Sequence, residues 1–238
     1  MVRNSREAFK TYGNVFDNFT INNLRKLSSQ GHFEELNTTL KPGKEANVFT
    51  ATKSSGEDVV VKIYRLENCN FNKMFDYISQ DPRYSTLKGQ KRKIIFAWTQ
   101  REYRNLMKAR EIIRVPSVYA FKDNIIVMEF INDGDLAAPL LKDVELKNPK
   151  KVFNEIIKNM KKLFEIGLVH GDLSEFNILM QNNRPVFIDF SQSCSIEAGN
   201  AKHMLERDIK NICLFFRRFK VDMPSEDEIL LKMTKKSK

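Results

Sequence analysis

The chain has 238 residues, 42% hydrophobic and 29% charged, with a formal net charge of +10. This is enough apolar material for a sizeable core, and the balance is wrong for a disordered chain. No apolar run approaches the roughly 18 residues of a membrane span, and the opening MVRNSREAFK lacks the apolar stretch of a secretory signal; both absences favour a cytoplasmic protein.

Residues 1–35 read as a helical extension, with Thr20 placed to cap a helix through Leu24 and Leu27 that stops near Gly31. The pattern then changes to strands. Residues 46–51 (ANVFTA) and 58–64 (DVVVKIY) are rich in β-formers, and Lys53-Ser54-Ser55-Gly56-Glu57 between them completes a hairpin signature. A short helix near 70–80 ends before Pro82, and 83–93 (RYSTLKGQKRK) reads as a mobile basic loop. A long helix is expected from about Ile94 to Ile113, then strands at 117–121 and 125–130 around Lys122-Asp123-Asn124. After Pro149 the chain reads as helix to about Ile166, followed by a loop, short strands near 178–180 and 185–189, and two further helices. An antiparallel N-terminal sheet with one major helix, joined to a mainly helical half, is an α+β two-lobe arrangement. It divides the chain into the extension, an N-lobe over 36–131 and a reduced C-lobe over 132–238, with the join where Asn132, Asp133 and Gly134 cluster.

The chemistry concentrates in 170–180, HGDLSEFNILM, where Asp172 and Asn177 stand five apart before an apolar strand. A turn at Asn182-Asn183 leads to Val186-Phe187-Ile188 and then Asp189. This is the strand–turn–strand layout in which protein kinases hold ATP-bound Mg²⁺. Mg²⁺ takes oxygen ligands in octahedral geometry. The carboxylate of Asp189 and the amide oxygen of Asn177 can supply two, leaving Asp172 to orient a hydroxyl or water and accept its proton. Taken singly, each of these residues could equally cap a turn; the ordered set is what points to phosphoryl transfer.

Lys62 lies inside the apolar run Val59-Val60-Val61-Lys62-Ile63, and a lysine there must send its charge somewhere. Either it snorkels from an edge strand, or it holds phosphates and pairs with a helix glutamate, for which Glu102 is the natural partner. Gly43-Lys44 stands where a phosphate-covering loop would lie, although the segment is not GxGxxG and a plain turn fits as well. The strand 125–131 runs into the lobe join, where main-chain groups at Glu129 and Ile131 could meet an adenine ring. Cys69, Cys194 and Cys213 are far apart and show no CxxC spacing, so neither a zinc site nor a disulfide framework is indicated. His32, His170 and His203 are scattered, and His170 is expected to pack behind the catalytic loop.

The ordered segments GKEANVF (43–49), VKIY (61–64), DPRY (81–84), EYRNL (102–106), HGDLSEFN (170–177) and IDFSQS (188–193) resemble the RIO family of atypical kinases, and more closely its Rio1 branch. The resemblance covers about residues 40–220. It implies that Lys62 and Asn177 bind ATP, that Glu129 and Ile131 hold adenine, that Asp172 is the catalytic base, and that Asn177 and Asp189 ligate Mg²⁺ or Mn²⁺. It also makes Asp189 a candidate phosphoaspartate, and it implies serine autophosphorylation in the loop at 83–93, where Ser85 is a candidate. The family's expected partner is the precursor of the small ribosomal subunit, which it helps to mature while acting more as an ATPase switch than as a broad protein kinase. About 40 residues precede Gly43, fewer than the winged-helix domain of the Rio2 branch needs. Lys41-Pro42 replaces the family's usual Ser/Thr pair, and Ser191 stands where Asp-Phe-Gly of conventional kinases has glycine.

Two other readings compete. Aminoglycoside and choline kinases also carry His-Gly-Asp-Leu and a later Ile-Asp, which makes a small-molecule phosphotransferase an alternative, though without Ser-Glu-Phe-Asn. A non-catalytic nucleotide-binding scaffold is the other. The basic residues Lys88, Lys91, Arg92 and Lys93 and the tail 235–238 could touch RNA phosphates or form a solvated face.

Overall fold

The structure is a computed structural model that describes residues 16–67, 69–79, 82–134 and 136–235. The chain forms two compact units, one made of the residues up to Tyr103 with Ser117–Phe130, the other of Arg104–Pro116 with the residues from Ile131 onward. The chain therefore passes between units three times, more than a single join near 130–135 provides.

In the first unit, helix α1 (Asn18–Ser29) precedes strands β1 (Glu35–Pro42), β2 (Ala46–Thr52) and β3 (Asp58–Tyr64). Helices α2 (Phe71–Ile78) and α3 (Lys91–Ala109) follow, and then strands β4 (Val118–Lys122) and β5 (Ile125–Glu129). The five strands make one antiparallel sheet in the order β1-β2-β3-β5-β4. Ile21, Leu24 and Leu27 of α1 join Phe49, Val59, Val61, Ile63, Ile125 and Val127 in one buried cluster on the sheet. The alternation of the strands thus has a helical stripe to bury against.

Two local expectations are corrected. The cap of α1 is Asp17, not Thr20: Oδ1 of Asp17 accepts from the N–H groups of Phe19 (2.9 Å) and Thr20 (3.1 Å). A carboxylate there satisfies two orphan amides at once, while the Thr20 hydroxyl donates to Asp17 and accepts from the buried Asn124. The segment 83–93 is not an irregular loop. Pro82–Leu87 is a 3₁₀ turn, and Lys91, Arg92 and Lys93 are already the first turn of α3. That helix ends at Ala109, because two β-branched isoleucines and Arg114-Val115-Pro116 follow, and the residue before a proline disfavours helix. The side chain of Ser85 lies outside the described residues, as do the side chains of Lys41 and Pro42.

The second unit carries short pairs β6 (Asn132–Asp133) with β7 (Leu136–Ala137), helix α4 (Pro149–Glu165), strands β8 (Leu168–Val169), β9 (Ile178–Gln181), β10 (Arg184–Phe187) and β11 (Cys194–Ser195), and helices α5 (Ala201–Arg217) and α6 (Glu226–Thr234). Strands β9 and β10 form a hairpin in the register Ile178↔Phe187. Asn182 and Asn183 supply positive φ angles of 51° and 59°, the pair a two-residue type I′ turn requires. The core is built from α4 (Phe153, Ile156, Leu163), α5 (Leu205, Ile209, Ile212, Phe216) and α6 (Ile229, Met233), with the rings of Phe153 and Phe216 meeting edge-on at 5.4 Å. The three cysteines are all thiols, Cys194 and Cys213 buried and Cys69 half-buried. Among the described residues, no helix is long and apolar enough to cross a membrane.

Candidate active site

In the first unit the lysine question resolves to an ion pair. Strand β3 is central, with Lys62 opposite Val48 on one side and Ile126 on the other. The ammonium meets Glu102 Oε1 of α3 at 2.7 Å, and the two residues are 8% and 1% exposed. Edge-strand snorkelling is thereby replaced by neutralisation from a residue 40 positions away. Tyr64 lies two residues on along β3, on the same face by the alternation of the strand. Its hydroxyl donates to Glu102 Oε2 at 2.5 Å, so both carboxylate oxygens are engaged. Lys62 Nζ also lies 5.1 Å from the centroid of the Tyr64 ring.

In the second unit the β9–β10 hairpin brings Asn177 and Asp189 together. Beyond the last ladder pair, the N–H of Ile188 donates to the carbonyl of Asn177 at 3.0 Å, and Asp189 is the next residue. The Asn177 amide donates to the Asp172 carbonyl at 2.8 Å and to its Oδ2 at 3.3 Å. That commits the nitrogen and leaves Oδ1 as the atom of Asn177 that a cation could take. Asp189 sits at φ 64°, ψ 70°. A left-handed, non-glycine position of this kind costs of order 1–3 kcal/mol and is held only where the surroundings over-determine it. Part of that hold is Ser191, whose hydroxyl donates to Asp189 Oδ1 at 2.7 Å. The serine that departs from Asp-Phe-Gly thus supplies a contact glycine lacks. Asn105 of α3 fixes the same segment, donating to the carbonyls of Phe190 (3.2 Å) and Ser193 (3.1 Å). His170 is buried behind the loop, with its Nε2 3.1 Å from the Ile188 carbonyl and its ring 4.7 Å from that of Phe190.

One residue central to the loop escaped sequence reasoning. Asp208, on α5, is 1% exposed and accepts from the N–H of Gly171 (2.7 Å, Oδ2) and of Leu173 (2.8 Å, Oδ1). It therefore grips the backbone on both sides of Asp172. Burial pushes its carboxyl up to about 7 against the pull of those two amides and of Arg207. The only signal in sequence is an aspartate on the apolar face of a helix, between Leu205 and Ile209. Gly171 adopts φ +80°, and a Cβ there would press on the end of Met204 and on the Gln192 carbonyl, so the loop needs glycine at this point.

The remaining expected positions contribute differently. A Cβ on Gly43 would overlap the Ala46 carbonyl, so this glycine answers to its own turn, and Lys44 is exposed. The Glu129 carboxylate turns back to accept from the Ser117 N–H at 3.0 Å. The carbonyl of Ile131 accepts from Ala138 at 2.9 Å. Main-chain groups, not these side chains, are what the two positions could offer a purine.

The donor set suits Mg²⁺–ATP. Asn177 and Asp189 provide two hard oxygens, and among the described residues no group of three or more His, Cys, Asp and Glu side chains forms a metal cage. A cation at this pair would draw its other ligands from water and phosphate, the usual habit of Mg²⁺.

An antiparallel sheet with a Lys–Glu pair, and an Asp–Asn–Asp constellation around a β-hairpin, define an α+β fold of the protein-kinase class. Residues 47–229 match the RIO domain. The RIO-type serine/threonine-protein kinase Rio1 of Methanocaldococcus jannaschii is 44% identical over 222 residues, covering 93% of this chain and 76% of its own length. Rio1 of Haloferax volcanii is 37% identical, covering 89% of this chain and 73% of its own. Human RIO1 is 33% identical over 92% of this chain and 40% of its own. A crystal structure of Chaetomium thermophilum Rio2 kinase, in an ADP/Mg²⁺–phosphoaspartate complex, superposes with a TM-score of 0.72 over 92% of this chain and 67% of that one, at 23% identity, and shows the shared fold. The chain belongs to the RIO family of atypical serine/threonine kinases, in its Rio1 branch.

Proposed function

We propose that this protein is an ATP- and Mg²⁺-dependent serine kinase and ATPase of the cytoplasm that acts in maturation of the small ribosomal subunit. The observation that carries the reading is the Asp172–Asn177–Asp189 arrangement, in which a half-exposed carboxylate stands hydrogen-bonded to one of two adjacent oxygen ligands. Lys62, held by Glu102, contacts the α- and β-phosphates. Asn177 Oδ1 and the Asp189 carboxylate hold the divalent cation, which neutralises charge on the transferring phosphoryl group. Asp172 orients the attacking hydroxyl or water and takes its proton. Main-chain groups at Glu129 and Ile131 hold adenine, and Gly43-Lys44 covers the phosphates.

Asp189 is itself a candidate acceptor. Its carboxylate would attack the γ-phosphorus as ADP leaves, and water would later release the phosphate. The phosphoaspartate in the Rio2 complex supports this step. The basic net charge of +10 favours contact with RNA.

The test is mass spectrometry after incubation with Mg²⁺–ATP. An acid-stable phosphoserine and a labile phosphoaspartate at Asp189 are expected; an unmodified, non-hydrolysing protein overturns the reading. Co-sedimentation with immature small subunits, weakened by ATP turnover, is expected, and no association at low salt defeats the ribosomal part.

A further inference from the structure

Helix α5 presents two consecutive residues to the catalytic loop, and they do different work. Asp208 takes the amides of Gly171 and Leu173. Arg207 takes acceptors: its Nη2 donates to the Gly171 carbonyl and lies 3.7 Å from Asp172 Oδ1. Asn177 approaches the other oxygen of the same carboxylate, Oδ2, at 3.3 Å. The Asp172 carboxylate thus has the Arg207 cation near one oxygen and a long hydrogen bond from Asn177 at the other.

Local stability does not explain this arginine. Its Nε is buried without a hydrogen-bond partner, which is unfavourable by itself. Its ion pair with Asp172 is half-exposed, at 37% and 44% of the two side chains, where such a pair contributes little to folding. What the guanidinium gains is geometric. One nitrogen, Nη2, serves both the Gly171 carbonyl and the approach to Asp172, and the planar guanidinium fork holds its two N–H groups in a fixed orientation that a freely rotating ammonium lacks.

We propose that Arg207 is the positioning residue for Asp172, holding the loop carbonyl and one carboxylate oxygen so that the base meets its hydroxyl or water in reacting geometry. This rests on the reading of Asp172 as the base.

A test follows from a neighbouring feature. Arg207 also lines an open cavity of about 370 Å³ between α5 and α6, together with His203, Glu206, Lys210, Glu226 and Asp227. The cavity is open to solvent, so a small guanidinium ion can reach the space that removal of the Arg207 side chain leaves. In the full chain, Arg207→Ala should lower kcat for ATP turnover about 100-fold, the scale of a misplaced reacting group, with KM for ATP little changed. Millimolar guanidinium should raise Arg207→Ala turnover several-fold and leave wild type and Asp172→Ala unmoved. Arg207→Lys, which keeps the charge without the fork, should fall between wild type and Arg207→Ala and guards against a folding defect in the alanine variant.

Unchanged kcat in both Arg207 variants overturns the proposal, as does a loss that guanidinium leaves unrestored while ATP affinity falls in step. Asp172→Ala separates the two ideas. If it is inactive while the Arg207 variants are active, only the positioning role fails. If it is fully active, the assignment of the base fails.

Discussion

The two units hold their functional side chains by opposite means. Lys62, Glu102 and Tyr64 make a buried, side-chain-to-side-chain network, in which each charge is neutralised by a residue distant in sequence. In the second unit, Asp172 and Asp189 remain half-exposed, and it is chiefly the backbone around them that is fixed, by Asp208, Arg207 and Asn105, while Ser191 bonds a carboxylate, that of Asp189. A buried charge must be matched where it stands. A carboxylate that meets a changing phosphate must stay accessible, so rigidity has to come from its main chain. On the proposed function, the first device should bear mainly on stability and nucleotide affinity, the second mainly on turnover.

The sharpest break of that contrast is Asp172→Ala, expected to lower ATP turnover about 10²–10⁴-fold while nucleotide affinity, measured by fluorescence titration, stays near wild type. Asp189→Ala should weaken Mg²⁺–ATP binding as well. Equal Mg²⁺–ATP affinity in the two variants, or wild-type turnover in either, would remove the division of roles.

Next comes Glu102→Ala. It strands a buried ammonium and should destabilise the protein by about 3–5 kcal/mol in urea unfolding. Replacing both partners, Lys62→Met with Glu102→Leu, should recover much of that stability yet bind ATP poorly. Recovery of affinity along with stability would show that the pair is structural only.

Asp208 gives a pH test. Folded, it keeps its proton up to about pH 7, whereas the unfolded chain releases it near 3.8. Folding therefore takes up a proton between those values. Its contribution is fully present below pH 3.8, declines as pH rises, and levels off above pH 7, a change of up to about 4 kcal/mol. Unfolding midpoints of wild type and Asp208→Asn should diverge in slope over that window. Parallel curves would mean the carboxyl titrates normally.

The smallest effect is Tyr64→Phe. Loss of one hydrogen bond to a charged, buried carboxylate should lower stability by about 1.5–3 kcal/mol, with turnover changed less than in any second-unit variant above. A turnover loss matching Asp172→Ala would erase the distinction between the units.

Most strand and helix positions were legible, because β2 and α5 bury residues at the periods of a strand and a helix, and β3 and β5 are short apolar runs rich in β-branched residues. The Lys62–Glu102 pair was legible as one of two outcomes, since a lysine in an apolar strand either snorkels to water or meets a carboxylate, and the central place of β3 in the sheet decides for the carboxylate. The basic stretch at 83–93 was misread because charge alone does not distinguish a loop from a solvated helix start. Thr20 and Asp17 compete for one cap, and only the helix register chooses between them. Asp208 was invisible because nothing local relates residue 208 to the amides of 171 and 173.

The sequence by itself determined the residue types that phosphoryl transfer needs, their order, and the α+β class, because covalent spacing and hydrophobic period are local properties. Only the tertiary structure decided which groups hold the catalytic loop: Asp208 and Arg207 on a later helix, and Ser191 on the strained Asp189. Those contacts depend on where a folded core delivers a side chain, and burial, which raises the Asp208 carboxyl and makes Lys62 depend on Glu102 for neutralisation, exists only once that core has closed.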